Sequence, residues 1–121
     1  MAKILLVDDD QSVLETLSSA IESRGHFVVR ANDGLEGLLR YREQEFDLVI
    51  TDIIMPNEEG LGMISKLRKH DRPAKIIAIS GGGRTSNHEF LKIAEALGAI
   101  AVMKKPIRLG ELFEMLDICL Q

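Results

Sequence analysis

Five short apolar runs punctuate the chain, and their lengths allow little besides a buried parallel sheet. They are Lys3–Val7, the stretch from His26 to Arg30, the stretch from Phe46 that runs into Asp52, Lys75–Ile79, and Ile100 to Met103. Each has the length of a strand and is too brief for a helix. The first, third and fourth contain the unbroken apolar stretches Ile4–Val7, Leu48–Ile50 and Ile76–Ile79, the pattern of a strand covered on both faces. Between the runs the apolar positions change to helical spacing. Val13, Leu14, Leu17, Ala20 and Ile21 form one stripe, closed by Gly25. A second helix, capped by Asn32 or Asp33, carries Leu35, Leu38 and Leu39; a third carries Leu61, Ile64 and Leu67. Ser86 to Glu89 has the spacing of a capping box before Phe90, Leu91, Ala94 and Leu97, with Gly98 as the stop. The last helix starts near Leu109 and aligns Leu112, Phe113, Leu116 and Leu120.

Strands alternating with helices predict an α/β protein: a five-stranded parallel sheet, doubly wound as (βα)5. Right-handed crossovers leave few strand orders, and 2-1-3-4-5 is the common one for five strands. No linker, repeat or low-complexity tract breaks the pattern, so residues 1–121 read as one domain. The net charge of −4 gives no electrostatic case for direct nucleic-acid contact. The one cysteine, Cys119, cannot form an internal disulfide, and the first apolar run is too short for a signal peptide or membrane span. A cytoplasmic protein without membrane insertion is expected.

In a parallel sheet of this kind the C-terminal ends of all strands share one rim, where ligands bind. The residues delivered there are Asp8 and Asp9 after the first strand, Asp52 after the third, Ser80 after the fourth and Lys105 after the fifth. Any one of them is as well explained by a turn or a helix cap. Their convergence is harder to dismiss. Clustered carboxylates repel unless a cation neutralises them, and a few carboxylates completed by water and phosphate describe a Mg²⁺ site. An Asp can act as a nucleophile towards phosphorus, while a lysine and a hydroxyl can hold the phosphoryl oxygens.

Over its full length the sequence resembles the receiver domain of two-component response regulators. The motifs are Ile4-Leu5-Leu6-Val7-Asp8-Asp9-Asp10, Asp52-Ile53-Ile54-Met55-Pro56 with Glu59-Gly60, Ile79-Ser80, and Gly98-Ala99 through Lys105-Pro106. The resemblance implies a flavodoxin-like fold and a phosphorylation-dependent switch, not an enzyme acting on a separate substrate. Asp52 would accept a phosphoryl group from a histidine kinase or histidine phosphotransfer protein. Asp8, Asp9 and Asp52, with the backbone carbonyl of Ile54, would hold Mg²⁺. Ser80 would be the switch hydroxyl and Lys105 the cationic partner, and a downstream target protein would read the altered surface. Lys104 would point to the other side of the strand. Ser80 stands where threonine is usual, and Val102 where many receivers carry an aromatic ring, so an aromatic-rotamer readout cannot operate there. Bulky Ile54 is expected to hinder the attacking water, and the Gly81-to-Asn87 loop looks long and glycine-rich.

Two rivals compete. A haloacid-dehalogenase-type phosphohydrolase would use Asp8 as nucleophile and Asp10 as acid/base, but Gln11-Ser12 follows where that family carries Gly-Thr or Gly-Val. A nucleotide or flavin cradle at Gly81-Gly82-Gly83 lacks both G-x-G-x-x-G and the Walker Lys-Ser/Thr. Met1 and a final helix close to Gln121 favour a stand-alone receiver.

Overall fold

The computed structural model describes residues 1–53, 60–70, 74–80, 92, 95–96 and 98–120. Strands β1 (Lys3–Val7), β2 (Phe27–Ala31), β3 (Leu48–Asp52), β4 (Ile76–Ser80) and β5 (Ala101–Lys104) form one sheet in the order β2-β1-β3-β4-β5, as expected. All four pairings are parallel. The described helices are α1 (Gln11–Ser23), α2 (Gly34–Glu43), α3 (Gly60–His70) and α4 (Leu109–Cys119). Of the helix expected after Ser86, only Lys92, Glu95 and Ala96 are described, and all three have helical backbone. The rest of that stretch, including the Gly81-to-Asn87 loop, lies outside the described residues.

The continuous apolar runs follow from cover on both faces. Leu5, Val7, Val49, Ile76 and Ala78 point to one side, where Leu38 and Tyr41 of α2 and Met63, Ile64 and Leu67 of α3 meet them. Ile4, Leu6, Leu48, Ile50, Ile77 and Ile79 point to the other, under Leu14, Leu17 and Ile21 of α1 and Leu112 and Leu116 of α4. Every residue of β3 and β4 is buried, whereas the edge strand β2 is only partly covered. Cys119 packs as a buried hydrophobe; burial raises its thiol pKa, with the Lys75 charge pulling the other way.

Helix α2 departs from the sequence pattern. Asp33 caps it, accepting from Glu36 N–H at 2.8 Å, but only Leu38 of the three leucines is buried. Leu35 and Leu39 are 55% and 52% exposed. The inward face is Gly34, Gly37, Leu38 and Tyr41. A Cβ at Gly37 would lie 3.0 Å from Val7 Cγ2 and 2.9 Å from Met63 Sδ. The helix therefore sits tight on the sheet along its glycines, which turns Leu35 and Leu39 outward. Strands β2 and β5 begin one residue later than the apolar pattern suggests. His26 instead ties down the N-terminus, accepting from Ala2 N–H at 3.1 Å through Nδ1.

Candidate functional site

The register of the sheet sets the rim. Val7 is level with Ala31 and Thr51, Asp52 with Ile79, and Ser80 with Lys104. The ladder extends slightly past each strand: Asp8 N–H donates to Ala31 O at 3.1 Å, Ile53 N–H to Ile79 O at 3.0 Å, and Lys105 N–H to Ser80 O at 2.8 Å. Backbone pairing thus holds Asp8, Asp52, Ser80 and Lys105 in place before their side chains contribute.

Lys105 joins the rim together. Its Nζ lies 2.8 Å from Asp8 Oδ2 and 3.0 Å from Asp52 Oδ2. Asp8 and Ser80 are fully buried, Asp52 is 4% exposed, and the lysine side chain reaches in from a position 20% exposed. Asp9 is exposed, yet one oxygen each from Asp8, Asp9 and Asp52 fall within 4.8 Å of one another. Lys104 is exposed, while Val102 is partly buried against the core shared by α2 and α3. The side chains of neighbouring lysines therefore part as alternation along a strand requires.

Burial pushes the Asp8 carboxyl above its ordinary value; Lys105 and the Asp10 amide oppose the rise, and the Asp52 charge adds to it. Burial disfavours the Lys105 ammonium, but its close contacts with the Asp8 and Asp52 carboxylates outweigh that and raise its pKa. The crevice thus stabilises a cation among acids. Asp8 Oδ1 accepts from Asp10 N–H at 2.9 Å. Asp8 Oδ2 contacts the lysine as a charge pair and has no well-aligned hydrogen bond among the described residues.

That donor set fits Mg²⁺. All three groups are hard oxygens, the donors Mg²⁺ takes, and adjacent ligands of an octahedral Mg²⁺ are about 3 Å apart. One oxygen from each carboxylate lies within 4.8 Å of the others, so the three can share one ion by closing in on it or through bridging water. The carbonyl of Ile54 lies outside the described residues.

Asp10 does not join the acids. Its Oδ1 accepts from Ser12 N–H and Ser12 Oγ at 2.9 Å each and from Val13 N–H at 3.4 Å, capping α1. Those bonds hold its carboxyl below the usual range. A dehalogenase-type acid/base would need that carboxyl in the crevice, so the rival reading loses its second acid. Asp10 acts at the site instead through its backbone amide on Asp8, a contact with no signature beyond the cap residues Asp10-Gln11-Ser12.

A doubly wound parallel sheet that gathers carboxylates and a lysine at its carboxyl rim offers the charges that phosphate-handling α/β domains use. Residues 4–117 match the response regulator receiver domain, and the chain belongs to that family, the phosphorylation-dependent switch module of two-component signalling. The chemotaxis protein CheY of Halobacterium salinarum is 33% identical over 109 residues, covering 89% of this chain and 88% of that protein. The CAI-1 autoinducer sensor kinase/phosphatase CqsS of Vibrio cholerae is 36% identical over 104 residues, covering 86% of this chain. The chain spans 15% of CqsS, and 32% and 26% of two transcriptional regulators it also matches. A response regulator receiver domain protein from Clostridium thermocellum superposes with a TM-score of 0.91 at 27% identity, covering 99% of this chain and 94% of that one. None of the described helices is long and apolar enough to cross a membrane.

Proposed function

We propose that Asp52 is the phosphoryl acceptor of this domain and that Asp8, Asp9 and Asp52 hold Mg²⁺ beside it. The observation that carries the reading is the Lys105 ammonium drawn between two buried carboxylates, one of them at the end of the central strand β3. A phosphorylated histidine of a sensor kinase or phosphotransfer protein is the donor. The Asp52 carboxylate attacks phosphorus in line, the N–P bond breaks as the O–P bond forms, and the imidazole leaves. Mg²⁺ held by Asp8, Asp9 and Asp52 would supply positive charge to the phosphoryl oxygens. Lys105 shifts from the Asp52 carboxylate to a phosphoryl oxygen, and the Ser80 hydroxyl donates to another.

Residues of the chain turn this local event into a signal. The Lys105 N–H on Ser80 O makes β4 and β5 respond together when the phosphoryl group draws in both side chains. Val102, being aliphatic, offers no ring to swing inward, so the changed surface acts on its target through backbone and lysine movement. An open groove of about 390 Å³, lined by Lys105 with Val13, Leu17, Pro106 and Ile107 among others, gives a donor protein an apolar foothold at the lysine that contacts Asp52. The domain works as a cytoplasmic switch that acts by protein–protein contact and turns over only its own phosphoryl group.

Radiolabelled acetyl phosphate provides the test. The wild-type chain should gain a hydroxylamine-sensitive, Mg²⁺-dependent label that Asp52→Asn loses. A label retained in that variant, or mapped to Asp8, would overturn the assignment.

A further inference from the structure

Asp10 is the acid of the triplet that the phosphoryl chemistry leaves unassigned. The geometry points to Asp10 as a positioning residue: as N-cap of α1 it aims its own amide at Asp8 Oδ1 and so dedicates Asp8 Oδ2 to the cation in the crevice. This rests on the reading of Asp8 as a metal ligand.

Asp8 is fully buried, and its two oxygens have separate duties: Oδ1 takes the Asp10 N–H at 2.9 Å, and Oδ2 faces Lys105 Nζ at 2.8 Å. A carboxylate free to rotate would offer either oxygen to either partner. The Asp10 amide on Oδ1 and the Lys105 charge on Oδ2 together fix the carboxylate, and the amide does so only while it keeps its direction. That direction is held by a cap in which both ends of Asp10 take part. The backbone is extended, with φ −92° and ψ 112°, the side chain accepts from Ser12 and Val13, and the carbonyl accepts from Leu14 N–H at 3.0 Å. The helix so anchored packs Leu14, Leu17 and Ile21 into the core beneath α4. Asp8 is thus oriented by the packing of a whole helix, transmitted through one amide.

The side chain of Asp10 is exposed, and it also carries charge towards the crevice. Orientation and charge therefore have to be separated by experiment. Asn and Ser cap as well as Asp does. Asp10→Asn keeps the cap and removes the charge. Asp10→Glu keeps the charge, but its extra methylene takes the carboxylate past the Ser12 and Val13 amides. Asp10→Ala removes both.

Mg²⁺ titration of the full chain by calorimetry, at a temperature where every variant is folded by circular dichroism, reads the effect directly. Removing a partner that orients a metal ligand weakens affinity about tenfold at the low end. Asp10→Ala and Asp10→Glu should show that loss, and Asp10→Asn and Asp10→Ser should stay within about twofold of wild type, since they cap as well as Asp. Amide hydrogen exchange at residue 10 should speed up in the same two variants and in neither cap-preserving one. Should Asp10→Ala fail to fold, Asp10→Glu against Asp10→Asn carries the same comparison. The proposal is overturned if Asp10→Glu binds like wild type, or if Asp10→Asn falls as far as Asp10→Ala, which would assign the effect to charge. Failure of the underlying reading looks different: Asp8→Asn would then bind Mg²⁺ as well as wild type.

Discussion

Replacing Lys105 by methionine removes the cation that, among the described residues, lies between Asp8 and Asp52, and the cost follows from their burial. Asp8 is fully buried, Asp52 nearly so, and the lysine side chain is only 20% exposed, so little solvent screening discounts the pair. Breaking a buried ion pair from one side costs about 3–5 kcal/mol, because the remaining charge stays behind uncompensated. The crevice opens at the rim and its acids can take up a proton or water, so about 3 kcal/mol is expected at pH 7.5 in EDTA. For a domain of 121 residues that lowers Tm by roughly 10 °C. The pH dependence has a definite sign. Burial raises the Asp8 pKa above its ordinary 3.8, so the fold favours protonated Asp8. Stability from that group is complete below the ordinary value and lost as pH rises through the raised one. Lys105 opposes that loss in the wild type. The deficit of Lys105→Met must therefore open as pH rises through the raised Asp8 value and shrink on acidification, and added Mg²⁺ should also reduce it. Thermal melts followed at 222 nm, from pH 4.5 to 8, measure all three effects. A variant melting within about 2 °C of wild type at pH 7.5 in EDTA, under 1 kcal/mol for a domain this size, would refute the reasoning. A deficit that grows towards acid pH would do the same.

Two further substitutions probe the packing that holds the rim. Gly37→Ala gains about 1 kcal/mol of helix propensity. It also drives a Cβ to within 3.0 Å of Val7 Cγ2 and 2.9 Å of Met63 Sδ, both fully buried. Overpacking of that kind costs about 1–3 kcal/mol, so urea denaturation should show a net loss of about 1 kcal/mol that shrinks when Gly37→Ala is made in a Val7→Ala background; a loss undiminished there would place none of the strain at Val7. Ser18, on the buried face of α1, has a hydroxyl with no hydrogen-bond partner among the described residues. Ser18→Ala should stabilise the domain by about 1 kcal/mol, raising Tm by roughly 3 °C, and a lower Tm would mean that the hydroxyl is satisfied.

The amino-acid sequence by itself determined the sheet and the contents of its rim. A strand covered on both faces must be apolar at every position, so β1, β3 and β4 announce themselves locally, and the residue that ends each run must lie at the carboxyl edge. Asp8, Asp52, Ser80 and Lys105 were legible for that reason. Tertiary structure alone decided how they are used. Which side of α2 faces the sheet depends on the closeness of Gly37 to Val7 and Met63, and three leucines at helical spacing do not reveal that Leu35 and Leu39 turn outward. That Lys105 reaches Asp8 as well as Asp52 is a matter of a few ångströms across residues 97 and 53 positions apart, respectively. No periodicity encodes such a distance. The division of Asp8 between the Asp10 amide and the lysine is likewise invisible in the triplet Asp8-Asp9-Asp10, because three identical residues acquire three roles only when a strand ends, a helix begins and a fifth strand brings a cation alongside.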